Sequence, residues 1–275
     1  MSGGESRRIT VSDAVLEVEL RGSGEPVVLI QTALTADEFK PLADQSRLQA
    51  GYRLILYHRR GYAGSSPVAG PGSIDRDALD CQGLLAALGV DRAHVVGVSY
   101  SAAVALQLAA TAPAHVHTLT LIEPPPVHTP SRDRFIAANE QLRDDYRRHG
   151  SAAALDRFLT LVIGPDWRRD MERHIPGGVA QSQRDADTFF ATDLPALLDW
   201  RFGAAEAQRI SQPVLYVGGS HSGPWFAEVR RLILAWLPQA EDVEIAGADH
   251  SLAITHPVPI AAAMEGFLRR HPMPE

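Results

Sequence analysis

Residues 97–101 read Gly97-Val98-Ser99-Tyr100-Ser101 and stand between an apolar run and an alanine-rich stretch. The apolar run, residues 93–98, is typical of a buried strand, and residues 102–112 are typical of a helix. A serine on such a strand-to-helix turn, with a small residue two positions away on either side, projects its hydroxyl outward. The pentad therefore predicts a nucleophilic serine, a hypothesis that the rest of the chain must support.

Strand and helix patterns alternate on both sides of this turn. Short apolar or alternating runs, separated by Gly, Pro and Ser, favour strands, and apolar residues at helical spacing favour helices. The expected strands are residues 9–11, 15–20, 27–30, 52–57, 94–98, 116–122, 213–217 and 243–245. The expected helices between them are residues 36–47, 73–88, 102–112, 225–237 and 257–270. This alternation predicts an α/β fold with a mostly parallel sheet covered by helices on both faces.

The alternation stops between Pro124 and Ser211. That segment is helical in pattern, and its candidate helices are residues 132–149, 152–162, 166–174 and 194–208. We therefore expect a helical lid over residues 124–211, inserted into a core made of residues 1–123 and 212–275.

Composition excludes several kinds of partner. The 275 residues carry a formal net charge of −7, which argues against a nucleic-acid partner, because such partners normally need a clustered basic face. One cysteine, Cys81, allows no intramolecular disulfide. We expect no secretory leader, because residues 1–8 contain no apolar stretch, and no membrane span, because no apolar run approaches the required length. We expect a cytoplasmic monomer or homodimer that acts on a small molecule, without nucleic acid, membrane, cofactor or metal.

Taken together, these features resemble the α/β-hydrolase superfamily over essentially the whole chain. The resemblance is carried by the pentad at residues 97–101, by Arg60-Gly61-Tyr62-Ala63-Gly64-Ser65, by Arg21-Gly22-Ser23-Gly24, and by Gly247-Ala248-Asp249-His250 after the last strand. The order Ser then His along the chain also matches that family. The resemblance implies an eight-stranded, mostly parallel sheet with a helical cap inserted after strand six.

The same resemblance implies a role for several residues. Ser99 would be the nucleophile, and His250 would accept its proton and later return it. The oxyanion would need two N–H donors, which we expect from Tyr100 and from Ala33, with Leu34 behind it. The loop after Ile30, which would carry Ala33, lacks the glycine that the family commonly has there.

The acidic member of the triad stays open at this point. The family commonly carries it just past strand seven, but residues 218–222 read Gly-Gly-Ser-His-Ser and contain no carboxylate. His221 is one substitute, although a neutral imidazole cannot replace a fixed negative charge. Glu123, at the end of strand six, is the other, because some branches of the family take the acid from there. Asp249 adjoins His250 but is expected to point away.

A substrate pocket is expected next to the serine. Its candidate lining residues are Gln31, Leu34, Trp167, Trp200 and Trp225, although each aromatic side chain would equally suit packing of the lid on the core. The leading hypothesis is a serine hydrolase that cleaves an ester, lactone or related acyl compound through an acyl-serine intermediate. The alternatives are a non-hydrolytic lyase or cyclase of a biosynthetic pathway, and a binding protein that has lost catalysis.

Overall fold

A single eight-stranded sheet organises the computed structural model, which describes residues 4–274. Its strands are β1 (Glu5–Val11), β2 (Ala14–Arg21), β3 (Glu25–Ile30), β4 (Tyr52–Tyr57), β5 (Ala93–Val98), β6 (Val116–Ile122), β7 (Val214–Gly219) and β8 (Ala240–Ile245). The spatial order is β1-β2-β4-β3-β5-β6-β7-β8. Only the pairs β1–β2 and β2–β4 are antiparallel, so the predicted mostly parallel sheet is confirmed.

Helices cover both faces of this sheet, as their apolar clusters show. Val27 and Leu29 of β3 belong to one buried cluster, and Val28 and Ile30 belong to the other, because successive side chains of a strand point to opposite faces. The helices around the core are α1 (Lys40–Ala43), α2 (Ser46–Gln49), α3 (Ile74–Ala87), α4 (Tyr100–Thr111), α11 (Pro224–Trp236), α12 (Leu252–Thr255) and α13 (Pro257–Arg270). Within residues 4–274, no helix combines the length and the apolar character that a membrane crossing requires.

The expected helix over residues 36–47 is wrong. Two single-turn helices, α1 and α2, stand there instead, because Gln45 between them adopts an extended conformation with ψ 117°. Residues 31–39 consequently form an irregular segment after β3. This places several side chains at the carboxyl edge of the sheet, where open parallel sheets bind their ligands.

Residues between β6 and β7 are helical. The elements are α5 (Arg132–His149), α6 (Ser151–Val162), α7 (Trp167–His174), α8 (Gly178–Thr188), a π-helical turn (Phe189–Asp193), α9 (Leu194–Asp199) and α10 (Ala204–Ala207). We call residues 124–211 the helical insertion.

Two features of the insertion differ from expectation. The expected helix over residues 194–208 is broken at Trp200, which is extended at ψ 130°, and the Trp200 indole N–H donates to Gln107 of α4 at 2.9 Å. This bond ties the break to the core. Helix α8 was missed, because its sequence is mostly polar and gives little apolar periodicity.

Candidate active site

Ser99 occupies a strained turn between β5 and α4. Its backbone has φ 50° and ψ −119°, a conformation that costs a non-glycine residue about 1–3 kcal/mol. The turn is also tight, since a Cβ added to Gly97 would lie 2.3 Å from the Ser101 carbonyl oxygen. The Ser101 hydroxyl closes the turn by donating to the Val98 carbonyl at 3.0 Å. Ser99 thus stands at the start of α4, at the carboxyl edge of the sheet.

The structure brings His250 and Glu123 to this serine. His250 Nε2 lies 3.1 Å from Ser99 Oγ, and His250 Nδ1 lies 2.7 Å from Glu123 Oε2. The Glu123 side chain is 1% exposed, and its other oxygen accepts a 2.7 Å hydrogen bond from the Gly219 N–H. The arrangement allows the imidazole to take the serine proton while the carboxylate fixes its tautomer.

Glu123 reaches His250 through a second strained turn, at the end of β6. Its φ is 42°, and its N–H donates to the Val217 carbonyl of β7 at 3.1 Å. The end of β7, where the sequence has no carboxylate, therefore supplies one backbone partner for the Glu123 N–H and one for the Glu123 carboxylate.

The other two candidates for the acidic position lie elsewhere. His221 is exposed and is held through its backbone N–H, which donates to the Ala248 carbonyl at 2.8 Å. Asp249 accepts from the Ser251 N–H at 2.9 Å, so its side chain is directed toward the start of α12. The carboxylate beside the His250 ring is that of Glu123.

The residues expected to supply N–H donors lie around Ser99. Tyr100 is the first residue of α4, where N–H groups have no partner within a helix. Within residues 4–274, the Ala33 N–H donates no hydrogen bond, whereas the Leu34 N–H is occupied by the Tyr62 hydroxyl at 3.2 Å. Thr32, Ala33 and Tyr100 line the same cavity as Ser99.

This cavity has a volume of about 510 Å³ and lies between the sheet edge and the helical insertion. Ser99 and His250 open into it, and most of its wall is apolar. The apolar side chains from the insertion include Phe135, Leu142, Phe158, Leu159, Val162, Ile163, Phe189, Leu194 and Leu197. Within the described residues, no cluster of three or more His, Cys, Asp or Glu side chains has the arrangement of a metal site.

Of the five residues expected to line a substrate pocket, Leu34 and Trp225 line this cavity and the other three lie elsewhere. Trp167 is buried within the insertion, where its indole N–H donates to Asp156 at 3.1 Å. Trp200 packs on the core beside α4. Gln31 accepts a 3.0 Å hydrogen bond from the Arg59 N–H.

Comparison with known proteins identifies the family of this chain. The family model described as the alpha/beta hydrolase fold matches residues 26–257. The chain belongs to this family. A proposed carbamate hydrolase, RutD of Azorhizobium caulinodans, is 34% identical over 268 residues, which cover 93% of this chain and 95% of that protein.

Solved structures share the fold of this α/β hydrolase. An esterase of Thermogutta terrifontis superposes with a TM-score of 0.79 at 20% identity, covering 98% of this chain and all 100% of that one. The enol-lactonase of Burkholderia xenovorans LB400 gives a TM-score of 0.78 at 22% identity, with 96% and 100% coverage. At these identities the likeness concerns the fold.

A buried ion-pair cluster, which sequence reasoning missed, supports the cavity wall of this hydrolase. The Arg59 guanidinium is 2% exposed and pairs with Asp77 at 2.7 Å and with Asp193 of the insertion. Its Nε donates to the Gln31 carbonyl at 2.8 Å. Burial raises the pKa of Asp77 to about 6. The cluster thus joins the loop after β3, helix α3 and the insertion.

Two tyrosines complete this cluster. The Tyr62 hydroxyl donates to Asp193 at 2.6 Å, and the Tyr100 hydroxyl donates to Asp77 at 2.9 Å. The Arg59 guanidinium lies over both rings, 5.0 Å from the centre of Tyr62 and 4.3 Å from that of Tyr100. The loop at Leu34 and the start of α4 are therefore tied to the insertion through one guanidinium.

Replacing Arg59 with methionine is expected to lower the free energy of unfolding by about 3–5 kcal/mol, because two buried carboxylates lose their counter-charge. Denaturant unfolding measures this change. Arg169→Met is the matched control, because Arg169 pairs with acidic residues at the surface with 68% of its side chain exposed and such pairs contribute about 0–1 kcal/mol. Equal losses in the two variants would contradict the argument.

Proposed function

We propose that this protein is a serine hydrolase that cleaves an ester, lactone or related acyl compound through an acyl-Ser99 intermediate. The observation that carries the proposal is the continuous hydrogen-bonded chain from Ser99 Oγ through His250 to Glu123, at 3.1 Å and 2.7 Å. Its serine stands on a strained turn that opens into an apolar cavity. A binding protein without catalysis would have no need of such a relay.

The reaction follows from the positions of these groups. As Ser99 Oγ attacks the acyl carbon, His250 Nε2 takes the serine proton and Glu123 stabilises the imidazolium. The N–H groups of Tyr100 and Ala33 donate to the oxyanion. Collapse of the tetrahedral intermediate breaks the bond to the leaving alcohol, which takes the proton from His250. Water then attacks acyl-Ser99 by the same route and releases the acid.

The cavity supports a substrate with an apolar portion. Its wall is mainly aliphatic and aromatic, and much of it comes from the helical insertion. We infer that this insertion, residues 124–211, acts as a lid on the site. A volume of about 510 Å³ falls within the usual range for small-molecule sites. Medium-chain acyl esters fit this wall better than a small carbamate, the substrate class named for the relative from Azorhizobium caulinodans.

Covalent labelling tests the nucleophile. A fluorophosphonate is expected to modify the wild-type protein at the peptide that contains Ser99, as located by mass spectrometry. Ser222→Ala is the matched control, because Ser222 lines the same cavity but its hydroxyl makes no hydrogen bond within the described residues. Ser222→Ala should label normally. Labelling at another serine, or none, would contradict the proposal.

Turnover tests the reaction type. The unmodified enzyme is expected to release p-nitrophenol from p-nitrophenyl butanoate and hexanoate faster than from a p-nitrophenyl carbamate. Labelling at Ser99 without turnover of any acyl substrate would favour the non-hydrolytic alternative.

Phe226 is a further positioning residue for His250. Its ring stacks on the imidazole with centres 3.9 Å apart and planes 19° from parallel, and stacked pairs of this kind contribute about 0.5–1.5 kcal/mol. Phe226→Leu is expected to lower kcat by about 2–10-fold, which is that energy expressed as a rate. Phe226→Tyr, which keeps the ring, should restore most of kcat. A tyrosine variant as slow as the leucine variant would argue against stacking as the cause.

A further inference from the structure

Glu38 places a buried carboxyl group in the wall of the catalytic cavity. It belongs to the irregular segment after β3, is 7% exposed, and lines the same cavity as Ser99 and His250. Its neighbours in the chain are engaged elsewhere, since Lys40 donates to Asp37 at 2.8 Å and Asp37 also contacts His58 at 3.0 Å. Within residues 4–274, the Glu38 carboxyl has no hydrogen-bond partner.

The surroundings of Glu38 favour its neutral form. Burial raises the pKa of Glu38 to about 8, and no charged neighbour contributes to that change. The titratable groups nearest along the chain are Asp37 and Lys40, which pair as described. Those on the other walls of the cavity are Tyr100, His250, Arg134 and Glu228. At neutral pH Glu38 is therefore mainly a carboxylic acid, with one O–H donor and one carbonyl acceptor.

A ligand in this cavity can supply the hydrogen bond that the Glu38 carboxyl does not make with the protein within residues 4–274. A ligand oxygen that hydrogen-bonds Glu38 is therefore favoured over an apolar group that would cover the carboxyl without a hydrogen bond. A site built in this way rejects an analogue that lacks the partner much more strongly than it rejects a change in apolar length.

We propose that Glu38 is a specificity-determining residue, which hydrogen-bonds a neutral oxygen, a carbonyl or hydroxyl, carried on an otherwise apolar acyl substrate. The inference rests on the proposed function, because Ser99 must attack the molecule that Glu38 selects. An ammonium group fits less well, because it would require an ionised Glu38 and a second buried charge beside walls such as Leu159 and Ile254. The substrate class is thus an oxygenated acyl compound.

Matched substrates test this selection. The p-nitrophenyl ester of hexanoate is compared with its 4-oxo and 5-oxo derivatives on wild type, Glu38→Gln and Glu38→Leu. Wild type is expected to favour the better oxo ester by at least about tenfold in kcat/KM, which corresponds to one satisfied hydrogen bond. Glu38→Gln keeps an N–H donor and should keep most of this ratio, whereas Glu38→Leu should lose it.

A pH series needs no variant and tests the same hydrogen bond. A carbonyl needs the donor that only neutral Glu38 has, so the preference of the wild type for the oxo ester should fall as the pH rises through about 8. Because both esters share the same leaving group and nucleophile, titration of His250 cancels in the ratio. For Glu38→Gln, the ratio of kcat/KM between the two esters should not change with pH.

Two outcomes separate this inference from the proposed function. Hydrolysis of hexanoate with equal ratios in wild type and Glu38→Leu would overturn the role of Glu38 and leave the serine hydrolase standing. Absence of all hydrolysis would overturn the proposed hydrolase activity. In that case, the affinities of Ser99→Ala for ethyl 5-oxohexanoate and ethyl hexanoate, measured by tryptophan fluorescence, would still test the role of Glu38. Equal affinities in that assay would overturn the inference.

Discussion

Ser99→Ala is expected to lower kcat/KM for p-nitrophenyl hexanoate by about 10⁶-fold, the scale of loss when a serine nucleophile is removed. The alanine variant keeps the cavity, His250 and both N–H donors, so the residual rate measures binding and oxyanion stabilisation without covalent attack. Steady-state kinetics on highly purified protein measures the loss. A fluorophosphonate titration counts the active sites in the same preparation. Residual activity above 1% that survives this titration would contradict a covalent role for Ser99.

Ser99→Gly is the companion variant, because the turn is strained. A residue at φ 50° carries the penalty of its Cβ, which glycine lacks. Both variants should be inactive. The free energy of unfolding of the glycine variant should exceed that of the alanine variant by about 1 kcal/mol, so the glycine variant should unfold at a higher denaturant concentration. Equal stability of the two variants would show that the strain at Ser99 is small.

The positions of the strands and the turn at Ser99 were predictable because their signals are local. An apolar run such as residues 27–30 is typical of a strand in a sheet covered on both faces, and β6 begins and ends at the predicted residues 116 and 122. The position of His250 on the loop after β8 followed from the same alternation. Ser99 and Glu123 then meet because neighbouring parallel strands end at one edge.

The cavity wall was not predictable, because it depends on contacts across the insertion. Tryptophans such as Trp167 and Trp200 are common in substrate pockets. Here their indole N–H groups donate to Asp156 and Gln107, and both side chains pack away from the cavity. Only the folded chain shows which partner is in reach. Phe226 stacks on His250 across two separate elements, and no spacing in the sequence indicates that contact.

Arg59 and Glu38 are both buried ionisable side chains, but they differ in whether the charged form is stabilised. Both lie in or near loops whose pattern gives no sign of burial, and both are at least nine-tenths buried. Arg59 finds two carboxylates, so its charge is retained and structural. Within residues 4–274, Glu38 has no charged partner, and burial favours its neutral form instead. The difference arises from the tertiary partners, which is why the sequence marks neither residue as special.

Glu123→Gln is expected to lower kcat by about 10⁴-fold with little change in KM, the loss seen when a triad carboxylate becomes an amide. The Gly219 N–H already donates to Glu123 Oε1 at 2.7 Å, so the amide oxygen of glutamine takes that position. Its NH₂ group must then face His250 Nδ1 and donate to it. The proton of the imidazole moves to Nε2, and Nε2 can no longer accept the serine proton.

His221→Ala is the matched control for this variant, because His221 is the other residue that the sequence offers as a partner of His250. Its side chain is exposed and makes no hydrogen bond within the described residues, so kcat should stay within about twofold, as for surface substitutions away from special features. Thermal melting checks that Glu123→Gln remains folded, which is expected because the Gly219 bond is kept. If Glu123→Gln retained a tenth of the activity and His221→Ala lost it, the relay would run through His221, and the shape of the 218–222 turn would have to differ in the working enzyme. The amide variant tests this sharply, because it alters the tautomer of His250 while leaving the volume of the site unchanged.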